Sequence, residues 1–336
     1  MGLKGAILGD AAGQPFEFQL SIESWQKEPY DVLHYQSQHI TDDSVMSIAC
    51  AEAITNGSFD FAAAYHKYGK QYPGAGYGGR FASWIFSDTP EPYYSFGNGS
   101  AMRASACGQF ANTKEEAEIL GCLSALPTHN HPEGIKGAIT LAVCVYMAEH
   151  GATKEEILAY GIEQYPKDQY PFSPSVPTKN YHDTVRFDVT CMGAVPIAIR
   201  CFYETNNFQS LMQLINSMRV DCDTVGAIAG AIHDSFYKEC TEDDNAALKR
   251  FLAPEQLYKV YQNIISSLGN SHVSDYVAEI LKEDPDFILH TINENTYKEE
   301  NTPIKSGWSC NGVSSVPWLQ EKPSFLSKIK QLFRKN

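Results

Sequence analysis

Apolar residues recur along most of this chain with the spacing of an α-helix. From Ser44 to Ile54, Val45, Met46, Ile48, Ala49 and Ala53 share a helical face. The same period predicts helices over Lys114–Leu126, Glu133–Ala148, Thr153–Tyr165, Ala194–Glu204 and Phe208–Met218. The helix predicted over Val225–Tyr237 carries Gly226, Ala227, Ala229, Gly230 and Ala231. Side chains this small let neighbouring helices approach closely, which places it at the centre of a bundle. Pro254–Leu268 is a further amphipathic helix with proline near its start. Alternation long enough for a sheet is scarce, so the pattern predicts an all-α fold, a compact multi-helix bundle.

Other stretches break the period. Near the start a short apolar run meets Gly9, Gly13 and Pro15, which predicts a breaker-rich loop. Residues 165–185 hold four prolines and few aliphatics, as a surface loop would. Beyond about residue 285 the periodicity fades through Asn293-Glu-Asn-Thr296 and Gly307-Trp-Ser-Cys310. In Pro323–Asn336, Lys328, Lys330, Arg334 and Lys335 stand without an acid, while Phe325, Leu326, Ile329, Leu332 and Phe333 share a helical face. A helix packed on its own domain, or a frayed tail, is favoured there over a membrane-surface or partner-docking helix, because one short basic helix holds a bilayer only weakly.

Composition narrows the function classes. Of 336 residues, 43% are hydrophobic and 20% charged, as in an ordinary globular protein. Forty acids against 26 bases give a formal charge of −14. That argues against nucleic-acid partners, since a phosphate backbone calls for surplus Lys and Arg. The longest apolar runs, such as Gly137–Ala148, are too short to cross a bilayer, so no stable membrane insertion is expected. Nine scattered cysteines form no Cys-x-x-Cys pair and read as buried free thiols, which points to a reducing, cytoplasmic setting.

Two places concentrate oxygen ligands. Thr41-Asp-Asp-Ser44 stands directly before a helix. Alone it is an ordinary start, with a Thr cap and acids in the first turn. Asp221-Cys-Asp-Thr224 precedes the small-residue helix, and Asp221 and Asp223, two apart, point to one side. If the two helix starts meet, Asp42, Asp43, Asp221 and Asp223 crowd together. Such charges repel, and they protonate or splay unless a cation sits between them. An all-oxygen set selects Mg²⁺, Mn²⁺ or Ca²⁺ over zinc, and four acids can hold two ions. Glu17, in the loop after Gly13, is a fifth candidate carboxylate.

Gly74-Ala-Gly-Tyr-Gly-Gly79 and Gly97-Asn-Gly-Ser100 are either tight turns or phosphate-binding nests. Neither is a Walker loop or a dinucleotide fingerprint. Thr128-His-Asn-His131-Pro precedes a helix and is either a His-x-His metal pair or a helix-entry loop with one ligand-facing His.

Taken together, these segments resemble the ADP-ribosylglycohydrolase family. The resemblance is carried by Gly5-Ala-Ile-Leu-Gly-Asp-Ala-Ala-Gly13 with Glu17, Thr41-Asp-Asp-Ser-Val-Met46, Ala75-Gly-Tyr-Gly-Gly79, Ser95-Phe-Gly-Asn-Gly-Ser-Ala-Met-Arg103, Thr128-His-Asn-His-Pro-Glu-Gly134, Phe187-Asp-Val-Thr-Cys191 and Asp221-Cys-Asp-Thr224, in the family's order. It spans roughly residues 1–268, leaving 269–322 as a partly helical extension and 323–336 as the basic amphipathic tail. It implies a binuclear Mg²⁺ (or Mn²⁺) centre held by Thr41, Asp42, Asp43, Asp221, Asp223 and Thr224, with Glu17 beside it. Glu17, Asp42, Asp43 and Asp223 would be catalytic. Gly76, Tyr77, Gly78, Gly79, Ser95, Phe96, Gly97, Asn98, Gly99, Met102 and His129 would bind substrate, the glycine loops at the pyrophosphate and Phe96 and His129 near the ribose or adenine end. The implied reaction is hydrolysis of the bond between ADP-ribose and an acceptor, with a protein side chain as the foremost candidate, by a monomer.

Two departures stand out. Arg219-Val220 replaces the Gly-Gly usual before the Asp-x-Asp-Thr motif, and Cys222 replaces Ser or Thr, so a narrower pocket is expected. Two other functions remain to be weighed. An inactive ADP-ribose-binding relative would lack metal ligands, and all are present. Asp221-Cys-Asp-Thr-Val225 also fits a haloacid-dehalogenase-type phosphatase motif, which requires a buried strand before it, where Leu211–Arg219 reads helical.

Overall fold

The computed structural model describes residues 2–18, 30–239, 241–269 and 272–301, with side chains as far as residue 296. Among these residues there are sixteen α-helices and no β-strand. In chain order they are α1 (Gly2–Gly13), α2 (Asp42–Thr55), α3 (Phe61–Gln71), α4 (Gly79–Ile85), α5 (Gly99–Met102), α6 (Ser105–Gln109), α7 (Lys114–Ala125), α8 (Pro132–Glu149), α9 (Lys154–Gln164), α10 (Cys191–Glu204), α11 (Phe208–Asn216), α12 (Cys222–Tyr237), α13 (Glu242–Leu252), α14 (Leu257–Ser266), α15 (Val273–Glu283) and α16 (Phe287–Asn301).

Capping chemistry fixes many of the starts. Thr41, Thr113, Thr153, Thr190, Asn207 and Thr241 each accept a first-turn N–H with the side chain. Pro132 occupies the first turn of α8, where its missing N–H is no loss.

The small-residue helix α12 lies at the centre, buried from Cys222 to Ser235, with α1, α8, α10 and α11 packed round it. Its chief neighbour corrects the sequence expectation. The stretch holding Gly9 and Gly13 is no loop: it is α1, buried along its whole length. Gly5, Gly9 and Gly13 are four apart and so lie on one face. A Cβ on Gly9 would stand 2.0 Å from the Gly226 carbonyl oxygen, and one on Gly5 equally close to that of Gly230. These glycines bring two backbones into direct contact instead of breaking the helix.

Other expectations shift by less. The helix expected from Pro254 starts at Leu257, after Gln256 in a left-handed conformation (φ 59°). Where periodicity fades, α16 still forms, anchored by buried Ile292 and Asn295. Residues 165–185 contain one 3₁₀ turn, Thr178–Asn180, and are held down by buried Tyr165, Tyr181 and Val185. Gly307–Cys310 and the tail 323–336 lie outside the described residues. No described helix is long and apolar enough to cross a membrane. Seven cysteines among the described residues are free and buried.

Candidate metal centre

The centre forms where the end of α1 meets the starts of α2 and α12. Gly13 allows this meeting, since a Cβ there would stand 2.1 Å from the Cys222 carbonyl oxygen. From α1, Asp10 reaches across to α2. Its carboxylate accepts the N–H groups of Thr41 (2.9 Å) and Ser44 (3.1 Å), the Thr41 hydroxyl (2.9 Å) and the Ser44 hydroxyl. The Thr224 hydroxyl of α12 donates to Asp43 Oδ2 at 3.3 Å, joining the two helix starts across 181 residues of sequence.

Six carboxylates gather here. Asp10, Asp43 and Asp223 bring carboxylate oxygens within 4.8 Å of one another, and so do Glu17, Asp221 and Asp223. Asp223 belongs to both trios. Burial, followed by the charges of Asp221 and Asp43, holds Asp223 well above the ordinary carboxylate range. Asp43 is raised likewise by burial and by Asp10 and Asp42. Glu17, half-buried, is pushed up to about 7 by burial and the charge of Asp221. Asp42 stands outside both trios. It lies beside Gly76, whose Cβ position is 3.6 Å from Asp42 Oδ1, and is pushed up to about 8 by burial and the charges of Asp10 and Asp221.

A hard cation fits this donor set. Asp43 Oδ1 is buried without a hydrogen-bond partner, and the acids present oxygen alone. Asp10 differs, because both its oxygens are engaged in holding the start of α2.

The remaining candidates frame the cluster. Asn98 donates from Nδ2 to Asp221 Oδ2 at 2.7 Å. The Gly97 N–H is engaged with Ser95 Oγ (3.1 Å) and the Asn98 N–H with the Val189 carbonyl (2.8 Å), so this glycine segment is a built turn. His129 lies beneath it, with Nε2 3.3 Å from the Cβ position of Gly99, and is held well below the usual range by burial and by Arg103 and Arg80. Met102 is buried below Gly99. Phe96 meets the His131 ring edge-on, 5.1 Å between centroids. His131 caps α8 by accepting the Glu133 N–H at Nδ1 (3.0 Å), as a helix-entry loop would. Gly76, Gly78 and Gly79 are exposed, and Gly78 and Gly79 have open space where a Cβ would sit. Tyr77 is half-buried near Asp42, packs on Phe81, and is raised by burial and by that charge. Cys222 turns into the core towards the Val220 carbonyl (3.4 Å), so its replacement of Ser or Thr does not narrow the centre.

Two supporting residues escaped sequence reasoning. Asp10 stood in the Gly5–Gly13 segment without a role of its own. Arg103, buried, stacks on Tyr65 at 4.0 Å and donates to Thr128 Oγ1 at 2.8 Å, propping the His129 segment. A large cation directly after Ala-Met in a helical stretch was the available signal for it. Before Asp221 the chain runs through helix α11 and a turn, and no strand occurs among the described residues, so the phosphatase alternative lacks its sheet.

The profile of the ADP-ribosylglycohydrolase family matches residues 2–237. The chain belongs to that family. Among similar proteins, ADP-ribosylhydrolase ARH3 of Mus musculus is 25% identical over 307 residues, covering 70% of this chain and 82% of the relative. ARH3 of Homo sapiens is 23% identical over 310 residues, covering 70% and 84%. ADP-ribosylarginine hydrolase Tri1 of Pseudomonas putida (strain GB-1) is 22% identical over 260 residues, covering 70% and 69%. A solved structure described as an ADP-ribosylglycohydrolase-related protein complex superposes with a TM-score of 0.59 at 22% identity, over 78% of this chain and 97% of that one. This member of the family thus has the fold of that structure, with the acid cluster lying inside the segment the family profile spans.

Proposed function

We propose that the protein is a metal-dependent ADP-ribosyl glycohydrolase. It would cleave the bond between C1″ of the distal ribose of ADP-ribose and an acceptor, a protein side chain, releasing ADP-ribose. Water contributes OH to C1″ and a proton to the acceptor. The observation that carries this is the convergence of two acid-bearing helix starts on one buried point, joined by Thr224 and Asp43. Family membership supports the substrate class.

Thr41, Asp42, Asp43, Asp221, Asp223 and Thr224 would hold two Mg²⁺ ions, with Mn²⁺ as the alternative. When bound, such ions orient ribose hydroxyls and water and stabilise developing charge. Asn98 steadies Asp221 through its side-chain amide. Glu17 is half-open to the outside, so it can meet water or leaving group and suits proton exchange with them. Asp43, fully enclosed, suits holding a cation better than meeting substrate. The segment Gly76–Gly79, with its exposed backbone, would face the pyrophosphate. The turn at Gly97–Gly99 would support Phe96 and His129 towards the ribose. Residues 1–268 would form the catalytic unit, acting as a monomer in the cytoplasm.

The test is a panel of arginine-, serine- and small-molecule-linked ADP-ribose adducts, assayed for free ADP-ribose with Mg²⁺ and with chelator. Chelation and Asp223→Asn should each lower release by at least about 10²-fold, on the scale of a lost catalytic group. Activity that ignores chelator or Asp42→Ala defeats the metal mechanism. Binding of ADP-ribose without turnover of any adduct assigns the protein to binding alone.

A further inference from the structure

Among the described residues, four large apolar side chains are exposed: Phe18 (74%), Phe86 (57%), Phe187 (39%) and Val189 (38%). Three of the four belong to one place. The rings of Phe18 and Phe187 touch, 5.5 Å between centroids and tilted by 37°, although their segments are far apart in sequence. Val189 is two residues on from Phe187. Single apolar residues scattered over a surface need no explanation, but a ring pair gathered from two segments and left in water does.

Both segments are tied to the acid cluster. Phe18 directly follows Glu17, whose carboxylate joins those of Asp221 and Asp223. Phe16, two residues earlier, is buried against Tyr30 and Tyr35, so the same turn sends one ring inward and the next outward. From the other segment, the Val189 carbonyl accepts the Asn98 N–H (2.8 Å), and the Asn98 side chain holds Asp221 (2.7 Å). The ring pair therefore borders the side of the cluster formed by Glu17 and Asp221. The Gly76–Gly79 segment lies elsewhere, beside Asp42, which is outside that trio. Arg186, next to Phe187, spends Nη1 on the carbonyls of Thr184 (2.9 Å) and Val185 (3.0 Å).

We propose that Phe18 and Phe187 form the acceptor-side contact of the site, packing on a large apolar side chain that neighbours the modified residue of a polypeptide substrate. This rests on the glycohydrolase reading, in which Glu17 meets water or leaving group and the pyrophosphate faces Gly76–Gly79. The ADP-ribose half is anionic and calls for cations or N–H donors, which two rings beside a carboxylate do not supply. What extends outward past Glu17 from the leaving group is the chain that carries it. An aliphatic side chain on that chain gains by leaving water against the rings. The rings thus select among protein acceptors and take no part in bond cleavage.

The test uses peptides carrying ADP-ribose in whichever linkage the adduct panel shows to be cleaved, with either leucine or glycine on both sides of the modified residue. The native full chain should cleave the leucine peptide with about tenfold higher kcat/KM, the difference lying in KM, on the scale of one apolar contact. Phe18→Ser/Phe187→Ser should bring the two peptides level while the urea midpoint holds, since both rings are already exposed. If the double variant does not fold, Phe18→Ser alone, at the more exposed ring, decides, and should lower the preference about threefold. Equal kcat/KM for the two peptides in the native protein, or a preference that survives in the folded variant, overturns the proposal. So does weaker binding of free ADP-ribose by the variant in isothermal titration, which would put the rings against adenine. Release of ADP-ribose from small-molecule adducts but from no peptide overturns this proposal alone, whereas release from no adduct removes the glycohydrolase reading with it.

Discussion

Asp10 and Asp43 share one acid cluster and have opposite duties. Asp10 takes hydrogen bonds from two N–H groups and two hydroxyls, while Asp43 keeps one oxygen unpartnered. Asp10 is thus a positioning residue: it fixes where α2 begins, and so where Asp42 and Asp43 stand. Asp10→Ala strands all four donors and should destabilise the fold by about 2–4 kcal/mol, measured by urea unfolding, and cut ADP-ribose release as well. Normal activity in a correctly folded Asp10→Ala protein would contradict this. The sequence made Thr41–Ser44 and Asp221–Thr224 legible because Thr and Asp suit helix starts by local chemistry. The bond from Asp10 to Thr41 joins residues 31 apart, and no local pattern carries it.

At the scale of elements, the hydrophobic period marked α2, α7 to α12 and α14, and left α3 and α15 unmarked. It failed for α1, which is buried all round and so has no polar side. Its glycines, four apart, were the available signal, mirrored by Gly226 and Gly230 on α12. Gly9→Ala should destabilise by about 1–3 kcal/mol or more, because its Cβ meets a backbone carbonyl that cannot turn aside. Gly74→Ala, with nothing within 4 Å, should change the urea midpoint little. Equal effects from the two would refute the contact. Helix α13 was also passed over, although Thr241 and Asp244 form a capping box that its sequence displays.

Across the whole molecule, the fold holds two titrating neighbours of opposite sense at the far end of α12. Burial, Lys154 and Lys4 bring His233 down to about 4 from the usual 6.5. The unfolded chain binds that proton more readily, so this group's stability is full above pH 6.5 and is lost as pH falls towards 4. Burial raises Asp234 to about 6 from 3.8, although Lys4 opposes it. The folded chain holds that proton longer, so this contribution is present below about pH 4 and is lost as pH rises towards 6. Each amounts to about 3 kcal/mol and they oppose each other between pH 4 and 6. Asp234→Asn should therefore lose stability as pH drops through this window, and His233→Gln should gain it. Urea midpoints that move in parallel for both variants would reject the assignment.

The glycine seam also fixes how the protein tolerates change. Where two main chains touch with nothing between them, neither helix can slide or roll as packing elsewhere loosens. Aliphatic wear in the outer helices should lower the melting point long before it detunes the spacing of the acids, so fitness for the chemistry and robustness of the shell can drift apart over many substitutions.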